Sequence, residues 1–287
     1  MTLSRRTLIK TLTVAGVAAL TADALAQNPD EIQALTLKGD IRQSVSRWCF
    51  GKVSLPDLCK IGKKLGLVAI DLVNPNEWDT VIEHGLEVGM SNVPGANIPK
   101  GFNRIEHHEW LLPIYEKLIP QAAEKKIANL ICFSGNREGL DDEKGAENCI
   151  IGLKKLMPLA EKHGVNIVME LLNSKDHKDY QADTSAWGAK AARAVGSERF
   201  KLLFDIYHMQ RMEGDVINNI HAYKDVIGHY HTAGNPGRKD LDDTQELYYP
   251  PIVKAVKETG FKGFFAHEFL PKNGIESLRN AIVLCDV

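Results

Sequence analysis

Four short apolar runs in the second half of the chain each end in a side chain that can bind a metal. They are Val165-Asn-Ile-Val-Met-Glu170, Leu202-Leu-Phe-Asp205, Val226-Ile-Gly-His-Tyr-His231 and Gly263-Phe-Phe-Ala-His-Glu268. Each has the length and β-branched or aromatic content of a buried strand, with its polar group at the C-terminal end. The terminal residues Glu170, Asp205, His231 and Glu268 are spaced by 35, 26 and 37 residues. A strand and the helix that returns the chain to the next parallel strand take about 30 residues, so each interval holds one such unit.

The first half carries the same alternation. Ile41–Phe50 reads as a first strand, followed by a helix opened by Ser54 with Pro56 in its first turn, where a missing N–H does no harm. Val68–Leu72, Leu86–Asn92 and Ala128–Phe133 read as the second to fourth strands. Between them a helix over 104–126 places Leu111, Leu112, Tyr115, Leu118 and Ile119 at helical spacing, and another over 142–163 stops at Gly164. Eight alternations without a linker or a shift in composition predict one closed (β/α)₈ barrel spanning 27–287. Such a barrel takes roughly 250 residues and keeps its chemistry at the C-terminal ends of the strands. A glycine-rich turn of the G-x-G-x-x-G kind after the first strand, which would favour an open doubly wound sheet, is absent.

Residues 1–26 are read as a leader outside the fold. Ser4-Arg-Arg-Thr-Leu-Ile-Lys10 has the twin-arginine export pattern, Leu12–Leu20 is a short apolar core, and Ala24-Leu-Ala26 fits a small-x-small cleavage site. The expectation is export in the folded state, work in the periplasm, and no stable membrane span after cleavage. A formal charge of −2 gives no basic surplus that would point to nucleic acid or an anionic membrane, and a small molecule is the expected partner. Nothing in the residues requires or excludes a homo-oligomer. The five scattered cysteines form no zinc pattern or disulfide framework and are read as core residues.

Side chains alternate along a strand, so Asn166, Val168 and Glu170 share a face, as do His229 and His231. If that face lines the barrel, three carboxylates and an imidazole converge at its mouth, an arrangement that repels itself unless a cation intervenes. Oxygen ligands with one imidazole suit Mn²⁺, Mg²⁺ or Co²⁺, with Zn²⁺ also compatible, and leave positions open for substrate. Taken singly, an acid at a strand end is more often a helix cap, and a histidine a satisfied core residue. Four in succession argue for one site. A cation between two glutamates suits proton transfer beside a carbonyl, one carboxylate taking the α-proton and another returning it to the neighbouring carbon. Arg238, in a Gly/Pro loop, can meet a substrate carboxylate or hydroxyls. Arg137 reads equally as a mouth or surface residue, Trp48 as core packing ahead of an apolar wall of the site, and the adjacent His107 and His108 as a solvated helix face.

Phe204-Asp-Ile-Tyr-His-Met-Gln-Arg-Met-Glu-Gly214, Gly228-His-Tyr-His-Thr-Ala-Gly-Asn-Pro-Gly-Arg238 and Glu246-Leu-Tyr-Tyr-Pro250 resemble the hydroxypyruvate isomerase family within the xylose-isomerase-like TIM barrels. The resemblance covers essentially all of 27–287. It implies a metal-dependent isomerase of small hydroxy-carbonyl compounds or keto-sugars. Glu170 and Glu268 would be its acid/base pair and metal ligands, with Asp205 and the strand-7 tip completing the sphere. Hydroxypyruvate isomerases can carry Gln where this chain has His231. The Gly-His-x-His form is similar to ketose 3-epimerases, which implies that His208 and Arg238 bind substrate oxygens. A keto-sugar 3-epimerase, a keto-glycoside dehydratase or lyase on the same site, and a non-catalytic sugar-binding barrel therefore stand as alternatives. A phosphate-directed nuclease would need more strand-tip histidines and a basic face, and neither is present.

Overall fold

The computed structural model describes residues 28–287. The expected leader Met1–Ala26 lies outside the described residues. Eight parallel strands follow in order: β1 Arg42–Ser46, β2 Ala69–Asp71, β3 Glu87–Val88, β4 Asn129–Cys132, β5 Asn166–Glu170, β6 Phe200–Asp205, β7 Ile227–Thr232 and β8 Phe264–His267. Their order in the sheet is β3-β2-β1-β8-β7-β6-β5-β4. The remaining gap, between β3 and β4, is closed through Ser91, which bridges both Val73 and Leu130. Ser91 N–H donates to Asn129 O at 2.9 Å, and Ile131 N–H donates to Ser91 O at 3.1 Å. The predicted (β/α)₈ barrel is what forms.

The first three strands stop short of the ranges the sequence suggests. Leu72 sits at φ 51°, a left-handed conformation that takes a branched residue out of the pleat, so regular β2–β3 pairing ends with Ile70 and Val88. Pairing resumes only at Val73 and Ser91, and this reduces the expected strand Leu86–Asn92 to two residues. The expected strand Ile41–Phe50 ends at Ser46, after which Arg47–Phe50 winds into a 3₁₀ turn over the barrel mouth.

The helices form where the apolar spacing put them. α1 (Leu55–Lys64) is capped by Ser54, whose side chain accepts from Asp57 N–H. α2 (Trp78–Glu83) is followed by α3 (Ile105–Glu124), which buries Leu111, Tyr115, Leu118 and Ile119. α4 (Asp142–His163) ends at Gly164 with φ 70°, the left-handed stop that glycine adopts at no steric cost. α5 (Ser185–Val195), α6 (Ile206–Met212), α7 (Val216–Ala222), α8 (Tyr249–Glu258) and α9 (Ile275–Cys285) complete the ring. Among the described residues no helix is long and apolar enough to cross a membrane. Cys59, Cys132, Cys149 and Cys285 are buried and Cys49 half-buried, all as free thiols, as expected of core residues.

One large apolar layer lies between sheet and helices, and a second, small cluster fills the barrel itself. That inner cluster consists of Leu72, Met90, Ile131, Val168 and Leu203. The opposite inner wall is polar, with Ser44, Ser46, Asp71, His229 and His231 all wholly buried. The alternation that sends Val168 and Leu203 inward also sends Glu170 and Asp205 inward, one layer higher.

Candidate active site

Strand register brings the four ligand candidates together. β5 pairs with β6 up to Glu170–Leu203, and β6 with β7 up to Asp205–His231, so adjacent strand ends deliver their acids and imidazole to one level. Glu268 follows directly on β8. Glu170, Asp205, His231 and Glu268 are all buried, each offering a ligand atom within 4.8 Å of the other three. Ligands at about 2.0–2.6 Å from a common hard cation fall within such a span.

Each group is held differently. Asp205 Oδ1 caps α6, accepting from His208 N–H at 3.1 Å, while its Oδ2 lies 3.3 Å from Arg238 Nη2. Glu268 accepts from Trp48 Nε1 at 2.6 Å and from Arg238 Nη2 at 2.5 Å. Glu170 has no side-chain hydrogen bond among the described residues and lies 3.5 Å from His231 Nδ1. His231 Nε2 is engaged by Asp71 Oδ2 at 2.9 Å. Its Nδ1 is buried without a hydrogen bond of good geometry, although Glu268 Oε2 lies 2.7 Å away. A buried imidazole nitrogen aimed at carboxylate oxygens without a hydrogen bond fits a metal ligand. The donor set therefore suits a divalent cation.

Arg238 is the countercharge that the protein itself supplies. Its guanidinium lies over the Trp48 ring at 5.4 Å and the Tyr207 ring at 5.7 Å while meeting both Glu268 and Asp205. Burial alone would raise the pKa of Glu268, but Arg238 and then His231 outweigh it and hold the carboxyl below its usual range. At Asp205 burial wins: despite Arg238, and with Glu268 adding to the effect, its carboxyl is pushed up to about 7. His208 is wholly buried, and burial followed by the charge of Arg238 keeps it neutral, well below the ordinary imidazole range. Its Nδ1 accepts from Asn173 N–H at 3.1 Å, which leaves the proton on Nε2, an atom with no hydrogen-bond partner among the described residues and 3.5 Å from Asp205 Oδ2.

A search against family models matches residues 79–282 to the xylose isomerase-like TIM barrel. The chain belongs to that family. It is 27% identical over 139 residues to hydroxypyruvate isomerase of Escherichia coli, covering 48% of this chain and 54% of that protein. It is 32% identical over 115 residues to 2-oxo-tetronate isomerase of Cupriavidus necator, covering 40% of this chain and 44% of that one. The matched stretch thus spans about half the length of these relatives. A solved structure described as an AP endonuclease, family 2, from Brucella melitensis superposes with a TM-score of 0.74 at 20% identity. It covers 83% of this chain and 96% of that one, and supports the fold alone.

All six residues singled out by sequence lie at this mouth, His208 and Arg238 beside the four ligand candidates. Two lesser expectations are corrected. Trp48 is not core: the 3₁₀ turn leaves it 45% exposed at the mouth with its indole N–H on Glu268. His108 is not solvated: it is buried where α3 meets α4 at Gly152, its Nε2 donating to Phe102 O at 2.8 Å. Arg137, for which mouth and surface stood level, stays off the four ligands and pins Asp142 and Asp183 at 2.8 and 2.9 Å. Asp71 and Asn173 were missed. Asp71 ends the observed β2, but in the sequence it sits inside the apolar run Val68–Leu72, which hides it as a tip, and nothing in the order of residues marks Asn173.

Trp48→Phe keeps an aromatic face for Arg238 and removes the indole N–H from Glu268. A hydrogen bond to a charged group contributes about 1.5–3 kcal/mol, so turnover should fall roughly tenfold or more with the thermal midpoint little changed. Unchanged turnover would reduce Trp48 to a wall of the pocket.

Proposed function

We propose that this protein is a metal-dependent isomerase of small hydroxy-carbonyl compounds, moving a proton between neighbouring carbons through an enediolate. The observation that carries the reading is the convergence of Glu170, Asp205, His231 and Glu268 in one buried cluster, with the Glu170 side chain free of hydrogen bonds among the described residues. A divalent cation held by these four would polarise the substrate carbonyl and stabilise the negative charge left when the α-proton departs. Glu170, the uncommitted carboxylate, takes that proton. Glu268, ionised at rest and held in place by Trp48 and Arg238, receives the hydroxyl proton of that carbon as it becomes a carbonyl and passes it to the adjacent carbon. Glu170 gives its proton to the former carbonyl oxygen, so both carboxylates are restored and the product has the mass of the substrate. His208 donates from Nε2 to a substrate oxygen. The walls of Trp48 and Tyr207 exclude water, which strengthens each of these interactions.

The relatives are named for hydroxypyruvate and 2-oxo-tetronate, both small 2-oxo acids. Arg238 is the cation at this mouth able to meet such a carboxylate in the planar, paired fashion of a guanidinium. The imidazole at the β7 tip favours a second reading, 3-epimerisation of a keto-sugar, which uses the same proton abstraction but returns the proton to the same carbon.

The test is a panel of hydroxypyruvate, 2-oxo-tetronate and ketohexoses incubated in D₂O with the Mn²⁺-loaded full chain. Deuterium entering product of otherwise unchanged mass is expected, and product structure separates isomer from epimer. Loss of water or of a leaving group would assign elimination instead, and no exchange with any compound would sink the proposal.

A further inference from the structure

Beneath the ligand cluster the barrel buries two polar side chains, Asp71 and His229, that the reaction above does not use, both in contact with the ligand candidate His231. Asp71 at the end of β2 and His229 and His231 on β7 are wholly buried. A single oxygen, Asp71 Oδ2, faces both rings, 2.9 Å from His231 Nε2 and 3.1 Å from His229 Nε2. The rings stand at 80° to one another with centroids 5.2 Å apart, so the two contacts reach that oxygen from different directions. An ionised carboxylate only accepts, so each Nε2 at these distances carries the donated proton. His231 then has one orientation in which its other nitrogen meets Glu170 and Glu268, and Nδ1 does face them.

The space for this carboxylate is itself built into the sheet. Gly89, just after β3, lies against Asp71, and a Cβ added there would sit 2.4 Å from Asp71 Oδ1. A side chain at that position would push the carboxylate away from the two imidazoles.

We propose that Asp71 is the positioning residue of the metal site, fixing His231 with its proton on Nε2 and Nδ1 turned toward Glu170, Asp205 and Glu268. His229 steadies Asp71 by donating to the same oxygen, and Gly89 leaves room for it. This assignment rests on reading the four strand tips as a cation site. Removing a carboxylate that orients a ligating histidine typically weakens metal binding by about 10–100-fold.

The test uses the full chain and its Asp71→Ala, Asp71→Asn and Gly89→Ala variants, with Mn²⁺ as the probe. Imidazole ¹⁵N spectra of the metal-free proteins report whether Nε2 of His231 carries a hydrogen-bonded proton, and Mn²⁺ titration by electron paramagnetic resonance reports affinity. In the parent chain the Nε2 proton of His231 should be hydrogen-bonded and slow to exchange, and Asp71→Ala should lose that signature. Mn²⁺ should bind about tenfold or more weakly to Asp71→Ala. The loss should be smaller in Asp71→Asn, whose amide oxygen still accepts, and should recur in Gly89→Ala. If Asp71→Ala does not fold, the other two variants decide the matter. A proton found on Nδ1 alone, or parent-like Mn²⁺ affinity in the folded variants, overturns the role given to Asp71 and leaves the cation site standing. A parent chain that shows the Nε2 proton but takes up no Mn²⁺ overturns the cation site, and this role with it.

Discussion

Glu170→Gln is expected to stop solvent deuterium from entering substrate and to lower turnover by about 10²–10⁴-fold, the range for loss of a positioned base. Glutamine keeps the size of the side chain and one carbonyl oxygen, but it cannot accept the α-proton. Glu170 makes no side-chain hydrogen bond that the substitution would break, so the barrel should unfold at nearly the parent temperature. Steady-state kinetics and isotope exchange, read alongside thermal unfolding, separate lost chemistry from lost structure. Substantial exchange in a folded Glu170→Gln protein would move the base elsewhere, with Glu268 the next to examine.

Arg238→Met should act in the opposite way, on stability first. Arg238 meets Glu268 and Asp205 inside the mouth, and its own side chain is only 18% exposed. Removing one partner of a buried ion pair strands the other charge, at a cost of about 3–5 kcal/mol, here reduced somewhat by the residual solvent contact. Urea denaturation of the metal-free variant should show a deficit of about 3 kcal/mol. Mn²⁺ should recover much of it, because a cation bound only by the native state stabilises that state. Equal metal-free stabilities would mean that the two carboxylates find another countercharge, and that the guanidinium belongs to the substrate alone.

The site was legible where strand periodicity and strand end coincide. Glu170, Asp205, His231 and Glu268 each close an apolar run, and alternation fixes which face a strand's last residue takes, so four tips could be assigned to one ring. Asp71 lies one residue inside the apolar run Val68–Leu72, and its pairing with His229 and His231 joins residues 158 and 160 positions apart and depends on which strands face one another across the barrel. Trp48 was misplaced because Ile41–Phe50 has strand composition throughout, whereas the backbone turns after Ser46. His108 was misplaced because neighbouring histidines on a helix suggest a wet surface. A glycine on the facing helix lets α3 and α4 approach closely enough to bury one of them. The left-handed Leu72, which shortens β2 and β3, has no local signal, since branched side chains rarely adopt that conformation.

Asp205 serves two masters: one oxygen belongs to the mouth cluster, and the other ties down the first turn of α6 at His208 N–H. Filling the site therefore pulls on the anchor point of a seven-residue helix that carries both His208 and Tyr207. The backbone amide of His208 becomes a built-in occupancy gauge: its hydrogen-exchange rate should track how tightly Asp205 is gripped from the other side, with no bound dye or substrate needed.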